Sequence, residues 1–193
     1  PYYAKIPAGI KMKTDYPFIA DLEEAVLEGM KIKISYKRPG NEKSYTIRPY
    51  KIIFFDVFWY LLSQIDGKKW IVKFRLDRIT DVELLSRHFA IPDDLQAMLD
   101  QSVNIWFAPK PMMKVTLKID KEAAQFFKEK RYFPNQKVVK TNRDGSLIIE
   151  AKVGANMEVI PTVMQWMPLI TVISPKALKD EVKSTVVGYL KKI

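Results

Sequence analysis

The stretch from residue 31 to residue 79 alternates apolar and polar positions with a period of two, which is typical of strands with one buried face. The pattern predicts four strands, at residues 31–38, 43–55, 57–65 and 69–76. Turn signals separate them, namely Arg38-Pro-Gly-Asn41, Asp56 and Asp66-Gly67. In the fourth strand, Lys73 and Arg75 alternate with apolar residues, so one face is predicted to be cationic and the other buried.

A helix is predicted before these strands, over residues 18–29. Its apolar positions recur at helical spacing, at Ile19, Leu22, Val26 and Leu27. Gly29 is a typical residue for ending a helix, and we expect this helix to cover the sheet. Within the second strand, Pro49 has no backbone N–H, so a bend or a position at the sheet edge is expected there. Residues 80–85 are expected to continue the fourth strand.

The second half of the chain has a different order of elements. A strand, a helix, a hairpin, a helix and a strand are predicted at residues 113–119, 120–129, 137–153, 157–166 and 169–173. This β-α-β-β-α-β order is that of a ferredoxin-like fold. Ser174-Pro175 then opens a last helix, with serine as the cap and proline at the first helical position.

The chain therefore divides into four predicted regions. They are a loosely structured N-terminal segment at 1–16, a first domain at 17–88, a connector at 89–111 and a second domain at 112–193. The connector contains a short helix that starts near Asp93 and ends in the stiff linker Ala108-Pro-Lys-Pro111. Both domains are basic. Residues 31–88 hold 13 Lys/Arg and 6 Asp/Glu, a net charge of +7, and residues 112–193 hold 15 and 8, again +7.

Composition narrows the possible functions. The 193 residues carry a net charge of +10, which favours anionic partners, nucleic acid above all, although lysine-rich surfaces also serve solubility. There is no cysteine, which rules out disulfides and thiolate metal sites, and with His88 as the one histidine we expect neither a histidine-based zinc site nor a Ser-His nucleophile. No run approaches the roughly 20 apolar residues that span a bilayer, and no signal peptide is recognisable, so a cytoplasmic protein without a membrane partner is expected.

Three features within residues 47–79 occur in the order found in one protein family. They are Arg48-Pro49, the tripeptide Trp59-Tyr60-Leu61 and the stretch Lys73-Phe74-Arg75-Leu76-Asp77-Arg78-Ile79. Together they resemble the WYL domain, which is named for the tripeptide. Lys73 stands where the family usually has arginine, which keeps the charge but loses the two-pronged guanidinium. The second half resembles the C-terminal extension that commonly follows WYL domains, with Pro168 where glycine is frequent.

The resemblance implies an α+β fold, with a small Sm-like, SH3-type β-barrel followed by the ferredoxin-like domain. It also implies the ligand-sensing part of a bacterial transcriptional regulator, with a winged helix-turn-helix in front that would contact DNA. Because the chain does not begin with Met, we expect it to be a segment of a longer protein. A homodimer is expected as well, since regulators that read palindromic sites are often two-fold dimers.

The basic strand is predicted to take part in a site for an anionic ligand, such as a nucleotide or a short single-stranded nucleic acid. Guanidinium groups match phosphate oxygens in pairs, and tyrosine can hydrogen-bond phosphate or stack on a base. By contrast, Phe58, Trp59 and Leu61 are expected in the core. The candidate ligand-binding residues are Tyr36, Arg48, Tyr60, Lys73, Arg75 and Arg78.

Two other classes of function stay open at this point. The second hypothesis is a direct nucleic-acid-binding module without a sensing role, whose affinity for nucleic acid would fall steeply as the salt concentration rises. An enzyme ranks last, because the sequence has no glycine-rich phosphate loop, no metal-ligand cluster and no nucleophile paired with a base. No cofactor is expected.

Overall fold

The protein is described by a computed structural model that covers residues 13–107 and 112–193. The chain divides into two compact units, Pro1–Asp93 and Asp94–Ile193. Over the described residues it is a mixed α/β protein with two antiparallel sheets and five α-helices. The expectations for residues 1–12 and for the linker at 108–111 lie outside the described part of the chain.

In the N-terminal unit, one helix precedes five strands. They are α1 (Ile19–Leu27), β1 (Met30–Arg38), β2 (Asn41–Phe55), β3 (Phe58–Ile65), β4 (Ile71–Arg75) and β5 (Ile79–His88). The helix ends as predicted, because Gly29 takes a φ of 63° that other residues rarely adopt. Leu22 and Ala25 of α1 are buried, whereas Leu27 is 81% exposed and does not belong to the apolar face that its spacing suggested.

The five strands lie in the order β4-β3-β2-β1-β5 with antiparallel pairing throughout. The expectation that residues 80–85 prolong the fourth strand is wrong. A single-turn 3₁₀ helix at Leu76–Arg78 ends β4, and β5 then pairs with β1 at the far side of the sheet. No pairing between β4 and β5 closes a barrel in the part of the chain that the structure describes, so the Sm-like barrel is not confirmed.

The sheet is nevertheless strongly curled, because side chains from β1 reach β4 across two intervening strands. The ring of Tyr36 meets the edge of the Phe74 ring with centroids 4.9 Å apart. Pro49 lies at a register shift between β2 and β3, which is the bend that its missing N–H predicted, although β2 is a central strand. The core inside the curl is formed by Leu22, Ala25, Ile32, Ile34, Ile47, Leu61 and Phe74.

The C-terminal unit follows the predicted β-α-β-β-α-β order. Its elements are α2 (Leu95–Asp100), β6 (Met113–Ile119), α3 (Lys121–Glu129), β7 (Lys137–Thr141), β8 (Leu147–Val153), α4 (Ile160–Gln165), β9 (Ile170–Ser174) and α5 (Lys176–Leu190). The strands lie in the order β7-β8-β6-β9. A 3₁₀ turn at Asn156–Glu158 precedes α4, so the helix predicted over 157–166 is shorter than its pattern suggested.

One face of this second sheet packs on the helices. Phe127 of α3, Val163 of α4 and Leu178 of α5 share a core with alternate residues of the strands. The other face carries the polar residues of the same strands, as the period-two pattern requires. No helix within the described residues is both long and apolar enough to cross a membrane.

Candidate anion-binding site

Arg75, at the end of β4, is held by a carboxylate two residues further along the chain. Its Nε and one terminal nitrogen donate to the two oxygens of Asp77 at 3.0 and 2.6 Å. This two-pronged contact raises the pKa of Arg75 above its ordinary value, and the Arg75 side chain is only 23% exposed. The alternation Lys73-Phe74-Arg75 works as predicted, because Phe74 is buried in the core while Arg75 stays on the opposite face.

An aromatic ring lies beneath this guanidinium. The Arg75 guanidinium carbon is 3.7 Å from the centroid of Phe58, the first residue of β3. Phe58 was expected in the core, but it is exposed, since the register pairs Tyr60 with Arg75 and thereby places Phe58 on the same face. Burial raises the pKa of Tyr60, and the positive charge of Arg75 partly opposes that rise.

Two further tyrosines surround Arg75 from the inner side of the curl. The Tyr36 hydroxyl accepts a hydrogen bond of 3.2 Å from the backbone N–H of Arg75, which fixes the end of β4 against β1. Tyr16 is buried, and burial raises the pKa of its phenol, with the Asp77 carboxylate raising it further and Arg75 lowering it. Three tyrosines therefore surround the Arg75–Asp77 ion pair, namely Tyr16, Tyr36 and Tyr60.

A cavity of about 290 Å³ adjoins the same carboxylate. It lies between the β1–β2 turn, where Gly40 has a φ of 74°, and the 3₁₀ turn that contains Arg78. The Arg38 guanidinium carbon lies 5.9 Å from the Tyr36 ring centroid, which connects the cavity to the tyrosines. The residues that line the cavity are Lys37, Arg38, Pro39, Gly40, Asp77, Arg78 and Thr80.

Two carboxylates lie near the cations of this cavity, namely Asp77 in its lining and Glu42, which is opposite Lys37 in the register of β1 and β2. Asp77 is the acid among the lining residues, and it is already bound to Arg75. Within the described part of the chain, Lys37, Arg38 and Arg78 take part in no salt bridge. The Thr80 hydroxyl bonds the Ser35 carbonyl at 3.3 Å and also the Glu42 carboxylate, so that polar side chain is occupied.

Arg48 lies elsewhere. It donates to Asp66 at 3.0 Å, and Lys31 binds the same carboxylate at 3.0 Å. The hydrogen bond from Lys31, helped by that from Arg48, lowers the pKa of Asp66. Arg48 is opposite Gln64 on β3, whereas Arg75 is opposite Tyr60, so about 13 Å of strand separates the two positions. The structure therefore does not place Arg48 at the Arg75 site.

The remaining predicted residues divide between these places. Tyr36, Tyr60 and Arg75 meet, and Arg78 lines the neighbouring cavity. Lys73 lies opposite Leu62, two residues from Arg75 on the same face of β4. Sequence reasoning did not propose Tyr16, Lys37, Arg38 or Phe58. A signal existed for Lys37 and Arg38, because they enter the predicted Arg38–Asn41 turn, but no local pattern reveals that this turn adjoins Arg78.

His88 is exposed at the end of β5. No cluster of three or more His, Cys, Asp or Glu side chains that could hold a metal is found in residues 13–107 and 112–193. The groups that surround Arg75 and the cavity are guanidinium, ammonium, phenol and phenyl groups, a set that suits a ligand combining negative charge with a flat ring.

The fold and this site define a mixed α/β protein of two units, with a cationic, aromatic-lined surface on the sheet of its first unit. Family comparison agrees with the sequence motifs: the WYL domain matches residues 17–84 and the WCX domain matches residues 111–190. The chain therefore contains a WYL domain followed by a WCX domain.

Two solved structures are similar to the chain. Proteasome accessory factor B/C (PafBC) of Arthrobacter aurescens aligns over 92% of this chain and 27% of its own, with 18% identity and a TM-score of 0.38. A CRISPR Cas-related protein aligns over 90% of this chain and 51% of its own, with 14% identity and a TM-score of 0.61. The second likeness shows a shared fold. The chain thus spans about a quarter and about half of these two proteins. No curated protein matches the chain.

Proposed function

We propose that this chain is the ligand-sensing regulatory region of a bacterial transcriptional regulator, and that its effector is an anion bound by the WYL domain. The WYL domain at residues 17–84 supports the regulatory role. The resemblance to this family implies a ligand-sensing module that accompanies a winged helix-turn-helix. The effector is a nucleotide or the end of a single-stranded nucleic acid. The proposed binding residues are Tyr36, Tyr60, Lys73, Arg75 and Arg78, joined by Lys37, Arg38 and Phe58.

The observation that carries this proposal is the imbalance of charge at the small cavity. Lys37, Arg38 and Arg78 contribute three positive charges around about 290 Å³, whereas Asp77 is matched by Arg75 and Glu42 lies opposite Lys37, so an excess of about two positive charges remains. Three cations without ion-pair partners repel one another, and a phosphate group placed among them would relieve that repulsion. Arginine is the better phosphate ligand of the two cation types, because its planar fork binds two oxygens at once.

The aromatic groups suggest what is attached to the phosphate. The Phe58 ring already stacks on the Arg75 guanidinium at 3.7 Å. Tyr60 of β3 is the cross-strand partner of Arg75 on β4. A nucleobase has the same flat shape as a guanidinium and stacks on aromatic side chains with about 1–3 kcal/mol per base. A ligand with phosphate at the cavity and a base near Phe58 would use both parts of the site.

Ligand binding would act through a change in conformational preference rather than through chemistry. An effector that binds one arrangement of the protein more tightly shifts the population toward it, and a DNA-binding domain in front of this chain would respond. We also propose that the protein forms a homodimer, that its first unit is a Sm-like barrel and that its second unit has a ferredoxin-like fold. That the chain is not an enzyme stays a prediction.

The alternative is a nucleic-acid-binding module without a sensing role. The even spread of positive charge favours it, because residues 31–88 and 112–193 each carry 7 more cations than anions. Such a module would bind any single strand, and its affinity would fall steeply as salt rises. An effector site would instead distinguish among nucleotides of equal charge.

The test is a binding measurement on the double variant Arg38→Gln/Arg78→Gln. Calorimetric titration with a panel of nucleotides and short single strands should show at least about a tenfold loss of affinity for the preferred ligand. The control is Arg87→Gln/Lys69→Gln, which removes the same charge from exposed positions of the same unit. If both variants lose affinity equally and for every ligand, the effector site is rejected in favour of general electrostatic binding. If neither variant changes binding, both proposals for this surface fail.

A further inference from the structure

The sheet of the C-terminal unit has one face of buried apolar residues and one face of lysines. Lys114 and Lys118 on β6 and Lys152 on β8 lie on the face away from the helices, since their neighbours Val115, Leu117, Ala151 and Val153 are buried on the helical side. Lys137 on β7 is opposite Glu150 and shares the lysine face. Glu150 lies among these lysines and Lys118 is paired with Asp120 at 3.1 Å, so the face keeps an excess of positive charge at the other lysines.

Two of these lysines face each other directly. In the register of β6 and β8, Lys114 is the partner of Lys152. Like charges directly opposite in an antiparallel pair are destabilising. Glu150 binds Lys114 at 2.7 Å, but Lys137 and Lys152 take part in no salt bridge within the described residues. The ammonium groups of Lys137 and Lys152 therefore have no ion-pair partner among the described residues, whereas that of Lys114 is neutralised by Glu150.

A notch in the sheet lies beside these ammonium groups. β7 pairs with β8 from Thr141 to Lys137, which is opposite Glu150, whereas β6 pairs with β8 as far as Val153. From Ala151 onward β8 therefore has a strand on one side only. A cavity of about 750 Å³ lies at this position, and it is lined by Gln101, Met112, Lys114, Asn135, Lys137, Glu150, Ala151 and Lys152.

We propose that this notch is a second ligand site, which binds a nucleotide-sized molecule through its phosphate groups. Its volume lies within the roughly 300–1,000 Å³ of small-molecule sites. Three lysines and one glutamate leave a net charge of about +2, which suits a diphosphate. The side-chain amides of Gln101 and Asn135 offer both donors and acceptors, the combination that a heterocyclic edge requires.

A polynucleotide is the less suitable occupant. Strands β6 to β9 contain no Phe, Tyr or Trp, so the face offers no aromatic platform on which successive bases would stack. The polar groups converge instead on one notch at the edge of the sheet. This inference concerns the C-terminal unit alone and does not depend on the effector site proposed for the N-terminal one.

The test uses the whole chain with the N-terminal site disabled by Arg38→Gln/Arg78→Gln. Calorimetric titration with ADP and with pyrophosphate should show one site in this background. Adding Lys137→Gln/Lys152→Gln should weaken ADP binding at least about tenfold, because two phosphate contacts are lost. The matched control adds Lys128→Gln/Lys179→Gln, two exposed lysines of α3 and α5 in the helical layer, and should change affinity by less than about twofold.

Three outcomes would overturn the inference. The first is that ADP and pyrophosphate fail to bind the background variant. The second is that the control variant weakens ADP binding as much as the notch variant does. The third is that a short oligodeoxythymidylate binds at the notch while ADP does not. None of these results bears on the effector site, because Arg38 and Arg78 are replaced in every protein compared. Conversely, loss of effector binding in Arg38→Gln/Arg78→Gln with one remaining ADP site would support both sites separately.

Discussion

The guanidinium carbon of Arg75 lies 3.7 Å from the centre of the Phe58 ring, while the same guanidinium holds Asp77 by two hydrogen bonds. The aromatic ring and the carboxylate together fix the direction of a side chain that would otherwise have many rotamers. A group fixed in this way loses less entropy when it binds a ligand. Arg75 is therefore preorganised, and the contributions of Phe58 and Asp77 can be measured separately.

The first prediction concerns the aromatic platform. Phe58→Leu keeps an apolar side chain but removes the ring beneath Arg75, and a cation–π contact contributes about 1 kcal/mol at a partly exposed position. We expect affinity for the preferred nucleotide to fall about fivefold. The control is Trp70→Leu, which removes an exposed ring that lies 5.4 Å from the Lys68 ammonium and should leave affinity unchanged. Equal affinities for wild type and Phe58→Leu would show that the ring only packs.

The second prediction concerns the carboxylate. The Asp77 carboxylate binds Arg75 and also lines the cavity together with Arg78. Asp77→Asn removes this negative charge, which would compete with an anionic ligand for Arg75. We expect nucleotide affinity to rise about fivefold, corresponding to about 1 kcal/mol. Asp93→Asn, an exposed change of the same charge in the same unit, is the control. A loss of affinity in Asp77→Asn would contradict the prediction and would mean that orienting Arg75 matters more than the charge.

The third prediction is a pH dependence of stability that arises from Asp66. Its pKa is lowered below the ordinary value of 3.8, chiefly by the hydrogen bond from Lys31 and also by Arg48. A lowered pKa in the folded state stabilises the protein above 3.8, and this stabilisation is lost as the pH falls from 3.8 through the folded value. We expect Asp66→Asn to be less stable than wild type near neutral pH, with the difference disappearing as the pH is lowered.

Urea unfolding over a series of pH values measures this difference. Asp93→Asn serves again as a control, since its carboxylate is exposed and lies outside the network of Lys31 and Arg48. A constant gap between wild type and Asp66→Asn down to the most acidic pH would mean that the carboxylate charge is not what stabilises this network. Nucleotide binding should be unaffected near neutral pH, because Arg48 is opposite Gln64, four residues along β3 from Tyr60, the partner of Arg75, and Asp66 lies two residues further on.

The fourth prediction concerns the β2–β3 turn that leads into Phe58. Asp56 and Val57 have φ values of 46° and 68°, and a β-branched residue in this region costs about 1–2 kcal/mol. Val57→Gly removes that strain and loses about 0.5–1 kcal/mol through the greater freedom of the unfolded glycine. We expect a net gain of about 0.5–1 kcal/mol in the free energy of unfolding.

The comparison with Val57→Ala tests the cause. Alanine keeps the Cβ atom that makes the left-handed region unfavourable, so the order of stability should be glycine above alanine in urea unfolding. If alanine is the more stable variant, the turn does not hold Val57 in the left-handed region in solution. Nucleotide affinity reports at the same time whether this turn contributes to the placement of Phe58.

By itself, the sequence determined most of the local structure and the family of this protein. The period-two patterns of β1 and β6 and the stop at Gly29 are local signals, because a strand with one buried face or a helix end requires them in the residues concerned. The order of Arg48-Pro49, Trp59-Tyr60-Leu61 and the basic stretch from Lys73 is a property of the sequence alone, and it is sufficient to indicate the WYL domain at residues 17–84.

Only the tertiary structure decided which cations lie together. Register across β2, β3 and β4 separates Arg48 from Arg75, and the curl of the sheet brings Tyr36 to the end of β4. The approach of the Lys37–Arg38 turn to Arg78 likewise joins segments about forty residues apart in the chain. Such juxtapositions arise from strand pairing and core packing over the whole unit, so no local pattern of residue types encodes them.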